Sequence, residues 1–80
     1  MHHDLKIHPK PYRGVLDGRK TFEIRNNDRD FKEGDTAILY EYFGGEYSGK
    51  ETIILITYVT DFEQKEGYVV FAFTKIKDIA

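Results

Sequence analysis

Apolar and polar positions along this chain change period several times, and each change marks an element. Leu5-Lys6-Ile7-His8 alternates, as a short half-buried strand does. Pro9 and Pro11 stop that strand and suit the first turn of a helix. Tyr12, Val15 and Leu16 then fall at i, i+3 and i+4, and Gly18 stands where a helix ends on a left-handed residue. The spacing predicts a helix between residues 9 and 18. Thr21 to Arg25 alternates again, with Phe22 and Ile24 on one face and Thr21, Glu23 and Arg25 on the other. Asn26 to Asp30 has no period and is rich in turn formers, with Phe31 as its apolar anchor. Gly34-Asp35 turns into a strand over Thr36–Phe43. Gly44-Gly45 and Gly49 bracket a loop. Thr52–Phe62 is a long β-rich run without strict alternation, the pattern of a strand buried on both sides or bent. Gln64 to Gly67 is a turn, and Tyr68–Ile76 is the last strand.

These elements predict a mainly β (α+β) fold: a curled sheet or barrel of five or six strands with one short helix, which protects the edges of short strands. Phe22, Ile24, Ile38, Ile54, Ile56, Val69 and Phe71 are the expected core. With 80 residues there is room for a single domain, residues 1–80. The chain has no cysteine, so neither disulfides nor thiolate metal sites enter, and six Tyr and six Phe supply the packing material. No apolar run is long enough to span a bilayer. Met1-His2-His3-Asp4 lacks the apolar stretch of a signal peptide, which makes the cytoplasm the expected location. His2 and His3 also fit a tag remnant.

Charge alters this picture through its distribution. The net charge is −2, yet residues 1–32 hold eight Lys and Arg against five acids, whereas residues 33–80 hold four against nine. A locally basic half can bind phosphate in a mildly acidic chain. Within it, Lys20 stands at the entrance of a strand whose one face carries Thr21, Glu23 and Arg25. A carboxylate flanked by cations can take the amino edge of a base while the cations hold phosphate, or do acid–base work if burial shifts its pKa. The same spacing also describes a solvated strand whose exposed ion pairs contribute ~0–1 kcal/mol. In the loop, Arg25 and Arg29 could grip phosphate and Asn27 and Asp28 could read base edges; equally, Asn and Asp there could cap their own turn. Tyr40, Tyr42, Phe43, Tyr47 and Tyr58 are candidate stacking residues, although most aromatics in so small a domain belong to the core. His3 and His8 lack metal-ligand spacing, and no catalytic serine order or phosphate loop is present, so neither metal nor cofactor is expected.

Gly18-Arg19-Lys20-Thr21-Phe22-Glu23-Ile24-Arg25 resembles the G-x-K-x-x-E-x-R signature of ASCH domains, small β-barrels of the PUA-like superfamily. More closely, the chain resembles short uncharacterised bacterial and phage proteins of that type. Further matching segments are His3–Ile7, Asn27–Phe31, Gly34-Asp35, Tyr47–Gly49, Ile56–Tyr58 and Gly67–Val70. The resemblance implies a PUA-like barrel with an RNA-binding cleft beside the first helix, and it carries Lys20, Glu23 and Arg25 into that cleft. One ASCH-like branch hydrolyses acetylated cytidine. Its catalytic Lys aligns with Lys20, but its Thr falls at Glu23, and its further carboxylate lies on a longer insertion that this chain is too short to contain.

The resulting expectation is a binding module for RNA or another nucleotide ligand. Lys6, Lys20, Arg25 and Arg29 would contact phosphate, and Glu23, Asn27 and Asp28 would position or read bases. The alternatives are a small amidohydrolase acting on a modified nucleoside through Lys20 and Glu23, and a protein-interaction domain that adds a partner strand to a sheet edge. No membrane or metal partner is expected, and the oligomeric state is open.

Overall fold

The proline pair that ends the first alternating stretch also starts the helix. In the computed structural model, which describes residues 1–79, β1 (His2–Ile7) leads into α1 (Pro9–Leu16). Pro9 and Pro11 occupy first-turn positions, where an amide hydrogen has no intrahelical acceptor. Tyr12 and Val15 are buried and Leu16 packs against the core, which is the predicted apolar face. The helix stops at Gly18, whose φ of 83° is left-handed, and Lys75 Nζ donates to the Leu16 carbonyl at 2.8 Å.

Four further strands follow: β2 (Phe22–Asn26), β3 (Thr36–Phe43), β4 (Glu46–Thr60) and β5 (Tyr68–Ile79). They form one sheet in the order β1-β3-β4-β5-β2, with β1 parallel to β3 and every other pair antiparallel. Fully extended, the fifteen residues of β4 would span about 50 Å, more than the longest dimension of the molecule, 33 Å. The strand is therefore bent, and its pairing with β5 shifts register between Ile53 and Ile54 and again between Ile56 and Tyr58. That bend rolls the sheet into a half-barrel around Leu5, Ile7, Tyr12, Phe31, Leu39, Ile54, Ile56 and Phe71. Among the described residues, no helix is long and apolar enough to cross a membrane.

Several expectations need correction. The sheet does not close into a complete barrel through main-chain pairing, because β1 and β2 remain its two edges. Gly44 and Gly45, with φ of 62° and 84°, make a tight two-residue hairpin turn, so Glu46 to Gly49 belongs to β4 instead of a loop. Ile38 is half-buried, on the face opposite Ala37 and Leu39. The largest correction lies in β2. Phe22 and Ile24, expected in the core, are 44% and 55% exposed, and Glu23 is buried at 6%. Alternation defines two faces without saying which one turns inward. Here Glu23 shares its face with Phe71, its register partner, and burial is tolerated because cations satisfy the carboxylate. Ile54, Ile56, Val69 and Phe71 lie in the core as expected.

The N-terminal histidines are part of the fold. His3 is buried, its Nε2 lies 2.8 Å from Asp35 Oδ2, and its ring meets Phe31 edge-on at 4.7 Å. Asp35 also accepts from the Lys32 amide at 3.1 Å. These bonds, the His3 contact first, hold its carboxyl down at about 2.

Candidate functional site

The charged cluster is built by the end of α1 and the edge strand that follows it. Lys20 donates its amide hydrogen to the Gly14 carbonyl at 2.9 Å, which folds the chain back against the helix. Gly14 is buried, and a Cβ there would sit 3.2 Å from Lys20 Cβ, so the glycine makes room for the lysine. The Thr21 carbonyl accepts from Phe73, and β2 then pairs with β5 from Phe22 onward. This geometry turns Glu23 inward, between Lys20 and Arg25.

Lys20 Nζ donates to Glu23 Oε1, and Arg25 Nε donates to Glu23 Oε2 at 2.7 Å. The side chains of Lys20 and Arg25 are 20% and 25% exposed, so the cluster is largely withdrawn from water while both cations still reach it. Burial, and secondarily repulsion from Arg25, brings the Lys20 ammonium down to about 8. Burial also lowers Arg25, against the pull of Asp28, yet a guanidinium stays charged at neutral pH. Each carboxylate oxygen of Glu23 already accepts from a cation, so its first role is to hold two positive groups side by side.

Beside this triad opens a cleft of about 450 Å³ between β1, α1 and β2. Ile7, Pro11, Phe22 and Ile24 give it apolar walls, and Lys6, Lys20, Glu23 and Arg25 give it charge. Lys20 Nζ lies 5.3 Å from the Phe22 ring centroid. Phe22 and Ile24, expected in the core, are thus two of the apolar walls of the cleft. Gly14 was also missed; a lone glycine within a predicted helix carries no sign of what will pack against it.

The loop residues are arranged differently. Asn27 Oδ1 accepts from the Phe31 amide at 2.8 Å, and its own amide donates to the Gly67 carbonyl, so this side chain shapes the loop. Asp28 is exposed, and neither residue lines the cleft. Arg25 Nη2 donates to the Lys6 carbonyl at 2.7 Å, and Arg29 Nη1 donates to the Asp4 carbonyl at 2.8 Å. Two arginines from the β2 side therefore bridge to the free edge of β1 where a strand ladder would otherwise run. A second cleft, of about 470 Å³, adjoins this seam and shares Lys6 and Arg25 with the first. Among the described residues, no group of three or more His, Asp or Glu is placed to hold a metal ion.

Comparison with known proteins places the chain in a family. The chain is 41% identical over 68 residues to the "Uncharacterized 12.9 kDa protein in GpA 3'region" of Escherichia phage P2. The match takes in 84% of this chain and 62% of that relative's length. A family model matches residues 2–73, a span that contains both clefts and the charged triad. The chain belongs to the family described as Domain of unknown function (DUF3850).

Proposed function

We propose that this chain is a nucleic-acid or nucleotide-binding module whose ligand is RNA, held as an unpaired nucleotide in the cleft between α1 and β2. The observation that carries this reading is Glu23 buried between Lys20 and Arg25 at a cleft with apolar walls. A base fits against Phe22 and Ile24, and phosphate fits the surplus of positive charge that Lys6, Lys20 and Arg25 hold over Glu23. The resemblance of Gly18–Arg25 to the ASCH signature, within a PUA-like class of small barrels, points the same way. Asn27 is committed to the loop, so base reading falls to the cleft.

The test is a titration of labelled single-stranded RNA pools at several salt concentrations, with wild type and Lys6→Ala. Lys6 is exposed, and the hydrogen bond it takes from Arg25 falls on its main-chain carbonyl, which alanine keeps; the substitution removes the ammonium and its contact with the Tyr42 ring. Saturable binding at low salt is expected. Lys6→Ala should weaken it across sequences and reduce the slope of log affinity against log salt by about 0.7, the share of one phosphate contact on a single strand. No saturable binding at low salt would overturn the reading.

One observation favours a second reading, hydrolysis of an acylated nucleoside. With Lys20 at about 8, roughly a tenth of it is neutral at pH 7. Such an amine can take a proton from water attacking an amide, with Glu23 beside it. Multiple turnovers of acetylated cytidine, lost in Glu23→Gln, would put this reading ahead of the first.

A further inference from the structure

The two clefts are of similar size, about 450 and 470 Å³, and they meet at Lys6 and Arg25. The second is lined by a different kind of wall. Tyr47 is 57% exposed, and its ring is braced edge-on by Tyr40 at 5.9 Å and by Tyr42 at 4.9 Å. Lys6 Nζ stands 4.4 Å from the Tyr42 ring centroid and 5.8 Å from that of Tyr47. An aromatic ring held in place by two others, open to solvent and flanked by cations, is a platform for stacking. Arg25 has five N–H donors, and its bonds to Glu23 and Lys6 leave others for a ligand. Arg29 lines the same cleft with one hydrogen committed to the Asp4 carbonyl. Asp4 is the carboxylate there, and its Oδ1 is engaged by the Tyr40 hydroxyl at 3.1 Å and lies 3.3 Å from His2 Nε2. The cations outnumber it.

We infer that the second cleft seats an adjacent nucleotide, so that the ligand is two consecutive unpaired nucleotides crossing the β1/β2 seam. One base lies in the first cleft, the other stacks on Tyr47, and the linking phosphate sits between Lys6 and Arg25. This inference rests on the nucleotide reading of the first cleft. A peptide fits the seam less well, because strand addition needs the free carbonyls of β1, and those of Asp4 and Lys6 already accept from Arg29 and Arg25.

The experiment compares 5′-UMP and 5′-AMP with the dinucleotides pUpU and pApA by calorimetry at one low salt concentration. For whichever base binds, the dinucleotide should bind about tenfold tighter than the mononucleotide, a gain within the range of one stacked base. Tyr47→Ala should bring dinucleotide affinity down to the mononucleotide level and leave mononucleotide affinity unchanged. Tyr47→Phe, which keeps the ring, should retain the gain. Equal affinities for the two lengths would overturn the inference while leaving the first cleft as a nucleotide site; equal weakening of both by Tyr47→Ala would overturn it by putting the single bound nucleotide on Tyr47 instead. Failure of all four to bind would remove the first-cleft reading together with it.

Discussion

At the scale of single residues, the informative contest is over the charge on Lys20. Burial and the neighbouring Arg25 disfavour its ammonium form, while the Glu23 carboxylate in contact with it favours that form. Burial prevails and the group sits at about 8, well below a lysine's usual 10.5. Between those values the folded chain holds fewer protons than the unfolded chain. Burying Lys20 therefore costs stability below pH 8, and the cost fades as pH rises toward 10.5. NMR of chains carrying labelled lysine should show one ammonium titrating near pH 8. In Glu23→Gln that titration should move lower still, since the carboxylate that favoured the charged form is gone. A Lys20 signal that titrates with the other lysines would show that the Glu23 carboxylate, and not burial, sets the charge of the group.

At the scale of elements, the turn between Phe31 and β3 is pinned by Asp35. Its carboxyl joins His3 of β1 to the Lys32 amide, while its main chain pairs with Ile56 of β4. The folded carboxyl, at about 2, lies below its ordinary 3.8, so this stabilisation is present above pH 4 and is lost as pH falls from 4 to 2. Urea midpoints measured from pH 6 to pH 2 should fall through that window in wild type. Asp35→Asn should start lower at pH 6 and converge with wild type near pH 2. The pairing was not legible in the sequence, where Gly34-Asp35 reads as a turn and His3 as a tag remnant or the start of a matching segment, because it joins residues far apart in the chain. Local signals succeeded where the physics is local. Pro9, Pro11, Tyr12, Val15 and Gly18 defined the helix, and β3 and β5 followed from the turns at Gly34-Asp35 and Gln64–Gly67 that open them. The triad was legible as one strand face with Lys20 at its entrance. Its burial was not, because the inward face of an edge strand is chosen by its neighbours in space, here Phe71 of β5 beside Glu23 and the two cations that satisfy the carboxylate.

At the scale of the whole molecule, Arg25 serves both the site and the seam. Its Nε holds Glu23 and its Nη2 reaches the Lys6 carbonyl. Arg25→Lys keeps the charge but loses the planar fork that makes both bonds at once. It should lower stability by about 1–2 kcal/mol in urea unfolding, the scale of one lost charged hydrogen bond at a part-exposed site. Hydrogen exchange should quicken in β1 and β2, the two strands the arginine spans, more than in β4. Unchanged exchange in β1 would show that the seam does not depend on this bridge. The strand order carries a further consequence, in time instead of space. β3 and β4 are both made between β2 and its ladder partner, β5. Glu23 therefore has no inward face to occupy until Tyr68–Ile79 has emerged and paired. A nascent chain halted before that strand carries Lys20, Glu23 and Arg25 as ordinary solvated charges, and the cleft takes shape only once β5 has paired with β2.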